Sequence, residues 1–348
     1  MCLKNKMCLK KSKLYSMKKL IFLIFLFMTP YAYAQTKTMG QVVRLDPALD
    51  ALIDANTPIE VLAEGFKWSE GPAWIKNGGY LIFSDVPQNT IFKWKEGEGL
   101  TEFLKPSGYT GRGYYSKESG SNGLTISLDG RVIACEHGDR RVTIMPLEGG
   151  GKRTLADKHA GKRFNSPNDV VEKLNGDIYF TDPPYGLPNQ EKDARSETPV
   201  FGVYKIAKNG VTTLIINDLM RPNGLAFSPD ESILYVNQSD PEHAYIMAYP
   251  VLKNGNVGKG KIFFDATPLL KQGLKGLPDG LRLDIKGNLF ATGPSGVLVI
   301  SPEGKLLGRI ETTQLTANCA WGDDGSTLYM TANGFLCRIK TKTMGVRF

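Results

Sequence analysis

Histidine and cysteine are scarce in this chain. Its 348 residues include three histidines and five cysteines, and Cys2 and Cys8 fall in a lysine-rich leader. Cys135, Cys319 and Cys337 are scattered through apolar runs, without the close pairing of a zinc site or the density of a disulfide framework. They are expected as buried free thiols, with one bridge and a spare thiol as the alternative. No apolar run reaches the roughly 20 residues a membrane-spanning helix needs. No glycine-rich loop opens a helix, and neither a P-loop nor a Ser-His-Asp arrangement is present, which sets aside dinucleotide, nucleoside-triphosphate and serine-hydrolase chemistry.

Excess charge is lacking too, once its position is considered. The net charge of +8 comes almost wholly from Lys4, Lys6, Lys10, Lys11, Lys13, Lys18 and Lys19, in a stretch without acids, and the rest carries 36 basic against 35 acidic side chains. No nucleic-acid partner is expected. Lys18 and Lys19 precede an apolar run from Leu20 to Met28, and Ala32-Tyr33-Ala34 before Gln35 has the small-x-small form of a cleavage site. Residues 1–34 therefore read as an export signal, with Met17 as a natural start. The expectation is a periplasmic or secreted protein with no stable membrane anchor after cleavage.

What is abundant is glycine and proline, 38 and 20 residues, spaced between short alternating apolar runs. One unit recurs six times: a polar residue, an apolar run, a Gly- or Asp-containing turn, and a second apolar run. The leading polar residues are Glu70, Asn122, Asn168, Asn223, Asp279 and Asn318, at intervals of 52, 46, 55, 56 and 39 residues. A repeat near 50 residues with four short strands per unit predicts an all-β, six-bladed β-propeller over residues 58–348, with four antiparallel strands per blade. The last unit has only three strands, so Ile59–Leu62 must supply its fourth and close the ring. Residues 35–57 show no strand pattern and are expected as a surface tether.

Equivalent positions at the starts of six innermost strands converge on the channel mouth. Asparagine before glycine can merely satisfy backbone groups, the reading preferred for Asn318. Glu70 and Asp279 beside Asn168 and Asn223 instead form an all-oxygen set of charge −2, suited to a hard dication. Calcium is expected above all, with magnesium, manganese or zinc as alternatives. Asn122, His137, Glu136 and Tyr115 fall on the same face and are candidates for substrate contact.

The segments Glu70-Gly71-Pro72-Ala73-Trp74, Ser121-Asn122-Gly123-Leu124, Asn165-Ser166-Pro167-Asn168-Asp169-Val170, Tyr179–Gly186, Arg221-Pro222-Asn223-Gly224-Leu225 and Pro278-Asp279-Gly280 resemble the senescence-marker-protein/gluconolactonase/luciferin-regenerating-enzyme family. The resemblance implies one catalytic divalent cation held by Glu70, Asn223 and Asp279, with Asn168 as fourth ligand or substrate contact. It also implies Asp279 as acid/base. An Arg-x-Asn sugar contact of animal members is interrupted here by Asn165-Ser166-Pro167. Two functions follow as expectations: a metal-dependent lactonase acting on sugar lactones or related cyclic esters, or a non-catalytic binding propeller with a structural metal.

Overall fold

The computed structural model describes residues 36–347, and the leader with its cleavage site lies outside the described residues. Among the described residues, six antiparallel blade sheets follow one another along the chain, with a two-stranded ribbon of Lys158–His159 and Lys162–Arg163 between the second and third. Blades 1 to 5 have innermost strands Ser69–Ile75, Ser121–Ile126, Val170–Glu172, Pro222–Phe227 and Leu281–Leu283; that of blade 6 is Thr316–Gly322. Strands such as Val132–Glu136, Gly202–Ile206 and Leu289–Gly293 are buried at every position, and because successive side chains point to opposite faces, both faces of these sheets are covered. The core accordingly divides into six clusters, each shared by neighbouring blades, including one of Leu81, Phe83, Tyr329 and Leu336 between blades 1 and 6. The ring is closed by packing as well as by pairing.

The closing strand is Glu60–Glu64, antiparallel to Phe335–Lys340 with Glu60 opposite Arg338 and Val61 opposite Cys337. The Glu60 carboxylate accepts a bond from Arg338 Nε at 2.6 Å, securing the pairing from the outer edge.

In place of the surface tether expected over residues 35–57, residues 36–57 form an ordered strap. Gln41–Arg44 adds a fifth strand to blade 5 along Leu306–Glu311, and a 3-10 turn follows at Pro47–Ala51, capped by Asp46, whose Oδ1 accepts from Ala48 N at 2.8 Å. Val42, Leu49, Leu52 and Ile53 then fill the seam between blades 5 and 6. Their spacing follows neither a strand nor a helix period, because a short strand and a single turn each bury only one or two side chains. Cys135, Cys319 and Cys337 are free and buried.

Four of the six innermost strands share one irregularity. Register shifts fall at Glu70–Ala73, Ser121–Leu124, Pro222–Leu225 and Thr316–Asn318, so the leading polar residue sits at a break in the ladder. Such a break redirects a side chain. The glycines that follow permit close approach rather than a turn. A Cβ on Gly71 would lie 2.1 Å from Asn122 O, and one on Gly224 would lie 2.1 Å from Asp279 O. Hydrogen bonds from Gly123 N to Asn168 O (2.7 Å) and Gly224 N to Asp279 O (3.0 Å) join successive blades around the axis.

Candidate active site

The amides of Asn223 and Asn168 are oriented by what their nitrogens touch. Asn223 Nδ2 donates to Ser239 Oγ at 3.0 Å, and the Ser239 hydroxyl donates onward to Pro278 O. Asn168 Nδ2 faces His137 Nε2 at 3.5 Å, while His137 Nδ1 lies 3.2 Å from Glu118 O. A carbonyl only accepts, so the imidazole proton sits on Nδ1 and Nε2 is the acceptor for Asn168. Burial pushes the His137 pKa down to about 4, and the ring is neutral at pH 7.

With the nitrogens so engaged, the oxygens are left over. Asn122 Oδ1, Asn168 Oδ1, Asn223 Oδ1 and Asp279 Oδ1 are buried and have no hydrogen-bond partner among the described residues. Each such orphan costs on the order of 1–3 kcal/mol unless something binds it. Glu70 receives Gly71 N (2.9 Å) and Asn318 Nδ2 (3.3 Å), both on Oε2, which leaves Oε1 for another ligand.

The electrostatics point the same way. Burial raises the Glu70 pKa to about 8, reinforced by the charge of Asp169 and, less, of Glu118. Burial, then the charges of Glu70, Asp169 and Glu118, hold Asp279 well above the carboxylate range. Among the described residues, Arg282 is the cationic side chain paired with this group, 3.9 Å from Asp169. Two carboxylates so placed either keep a proton or bind a cation. The orphaned oxygens fit a hard dication, which Glu70, Asn168, Asn223 and Asp279 would hold, with Asn122 beside them. Among the described residues no group of three or more His, Cys, Asp or Glu converges on one point, so the donor set is not of the nitrogen and sulfur type zinc prefers. Asn318, as its structural reading anticipates, is spent on Glu70 and on its own Cys319 N.

Two sequence candidates stand elsewhere. Glu136 is fully buried, and its carboxylate accepts from Arg141 Nε (2.7 Å), Thr143 Oγ1 (2.8 Å) and Lys152 Nζ (2.6 Å), leaving no oxygen for substrate. The end of a blade's second strand is an anchoring position: Asp85 holds Lys67 N and Trp68 N, and Asp182 holds Asn165 N and Ser166 N. Tyr115 stacks on Tyr109 at 5.1 Å and lies under Arg195, so its ring is occupied by the protein's own groups.

Two residues escaped the sequence reading. Tyr185 has a buried hydroxyl that meets no acceptor for its proton among the described residues, and it lies beside Asp279, Ser239 and Asn223. Glu118, on the long connection between blades 1 and 2, has its pKa raised by burial to about 7 and adds its charge to those of Glu70 and Asp279. Neither belongs to the repeat. Tyr185 could have been found only from its place after the second strand of blade 3.

A six-bladed β-propeller with a buried, carboxylate-and-amide oxygen site on its axis is the class of protein these features define. Residues 68–334 match the family described as SMP-30/Gluconolactonase/LRE-like region, and the chain belongs to that family. A gluconolactonase of Zymomonas mobilis is 41% identical over 314 residues, 88% of each chain. The solved structure of a gluconolactonase from Xanthomonas campestris superposes with a TM-score of 0.77 at 30% identity, covering 88% of this chain and 97% of that one. Regucalcin from Agrobacterium tumefaciens, described as a calcium-binding protein, shares the fold at 20% identity and a TM-score of 0.64, covering 83% of this chain and 97% of that one.

Proposed function

We propose that this protein is a metal-dependent lactonase that opens gluconolactone or a related sugar lactone at the axial oxygen site. The observation that carries the reading is the set of unpartnered oxygens on Asn168, Asn223 and Asp279, in a family whose 41%-identical relative is a gluconolactonase. A bound dication supplies Lewis-acid polarisation of the lactone carbonyl. Asp279 is partly exposed at the mouth, and in its ionised form it accepts the proton of the attacking water. Water adds to the carbonyl carbon, the bond from that carbon to the ring oxygen breaks, and the ring oxygen leaves as the hydroxyl of the hydroxy acid. Direct attack by the Asp279 carboxylate is the variant of this step, with an anhydride that water then cleaves. The Tyr185 hydroxyl, beside Asp279, donates to a substrate oxygen. His137 holds Asn168 with its oxygen toward the site.

Calcium is the ion we propose, ahead of magnesium, manganese and zinc. We also propose that the protein is exported, on the strength of the lysine-rich leader, its short apolar run and Ala32-Tyr33-Ala34. The test is hydrolysis of a lactone panel by chelator-stripped protein with each ion restored in turn, alongside its melting temperature. Restored turnover and a raised melting temperature with the same ion support the reading. An ion that raises the melting temperature without turnover of any lactone would leave a ligand-binding propeller in its place.

A further inference from the structure

Beside the channel mouth, on the same face, is a cavity of about 550 Å3 lined by Arg140, Arg141, Arg163, Arg195, Tyr109 and Tyr115, with Asp139 and Asp157. Its four guanidiniums are not equally compensated. Arg141 is saturated by Glu136 at 2.7 Å and Asp139 at 3.1 Å. Arg140, nearly buried, donates to two neutral carbonyls, Phe164 O (2.6 Å) and Arg195 O (2.9 Å), and meets the exposed Glu197 only at 3.8 Å. Arg163 donates to Asp139 O at 2.8 Å, again a neutral acceptor. Arg195 reaches Asp193 at 3.4 Å, but both Asp193 oxygens also accept backbone N–H groups. The Tyr115 hydroxyl is buried and meets no acceptor for its proton among the described residues, with the Arg140 and Arg195 guanidiniums beside it and Arg195 lying over its ring at 5.3 Å. Three under-compensated guanidiniums around an unused hydroxyl form a donor cluster in want of an acceptor.

The turn from His137 to Arg140 ties this cluster to the axial site. At one end His137 touches Asn168, and at the other Arg140 lines the cavity. The connection between blades 1 and 2 spans both, with Glu118 O on His137 and Tyr115 in the cavity wall.

We propose that this cavity is a subsite for a phosphate or sulfonate group carried on the end of the lactone remote from its carbonyl. The proposal rests on the lactonase reading and names the substrate class: a sugar lactone bearing a terminal oxyanion. Guanidinium forks match the tetrahedral oxyanion with paired hydrogen bonds, which a neutral hydroxymethyl group cannot exploit.

The test uses stable hydrolysis products, so that binding is read apart from catalysis. Gluconate and 6-phosphogluconate are titrated calorimetrically into wild type, Arg163→Gln, Arg195→Gln and Tyr115→Phe, each first shown folded by its melting curve. 6-Phosphogluconate is expected to bind wild type at least about 10-fold more tightly, with that preference reduced below about 3-fold in either arginine variant. Equal affinities, a preference that survives both arginine substitutions, or binding of neither product overturns the subsite. An arginine-dependent preference with no hydrolysis of either lactone refutes the lactonase reading and leaves the subsite standing. Hydrolysis of gluconolactone with no preference does the reverse.

Discussion

Asp279 and Asn223 sit one blade apart and present the same buried oxygen, yet they are asked for different things. Asp279→Asn keeps an oxygen donor but removes the charge and the base. Hydrolysis should fall at least about 100-fold, the scale for losing an acid/base group, and stay low at saturating cation. Near-wild-type turnover in steady-state assays would make Asp279 a ligand only. His137 acts one step removed, because its Nε2 fixes the Asn168 amide. His137→Phe keeps ring volume and removes the acceptor, so calorimetry should show cation affinity reduced by about 10-fold, as for other groups that orient a metal ligand. An unchanged affinity would show that Asn168 does not depend on that contact. Why the amides are turned was not legible in the residue string. Ser239 reaches Asn223 across the first hairpin of blade 4, where Pro222 pairs with Gln238, and His137, held by Glu118 O from the connection between blades 1 and 2, reaches Asn168 from the neighbouring blade; neither contact shows in residue order.

At the scale of the element, the repeat made the blades and their leading residues readable, because alternation and turn glycines are local properties. The closing strand was readable too, since one blade lacked its fourth strand. The strap was not. Val42, Leu49, Leu52 and Ile53 are buried by a seam that exists only after blades 5 and 6 have packed. Leu49→Ala should therefore cost about 2–4 kcal/mol in denaturant unfolding, as for other buried leucines, and removing residues 36–57 should lower the melting temperature rather than leave it unchanged. A melting temperature equal to that of the full chain would mean the strap adds nothing to the seam. The same locality explains Glu136: its place at a strand end suggested the site, whereas Arg141 and Lys152 reach it from the neighbouring strand and from the loop beyond.

For the whole molecule, the axial site makes stability depend on pH and on the cation together. Glu70 has a folded pKa of about 8 against an ordinary 4.5. Between these values the unfolded chain has lost a proton that the cation-free protein retains. Stability from this group is thus complete below about pH 4.5 and is lost as pH rises through 8. Urea unfolding of chelator-stripped protein should show stability declining across that window, and excess calcium should remove the decline by binding the ionised form. A decline that calcium leaves untouched would place its origin outside the axial site.

The central claim is that Glu70, Asn168, Asn223 and Asp279 form one dication site whose carboxyl groups hold protons until the ion arrives. Calcium titration by calorimetry at pH 7, repeated in buffers of different ionisation enthalpy, measures the ion count and the protons released together. The account predicts one ion per chain and release of about two protons, because Glu70 and Asp279 are both protonated in the free site at pH 7 and must ionise to bind. Binding without proton release would contradict the electrostatic account, and no binding of calcium, magnesium, manganese or zinc would contradict the site itself.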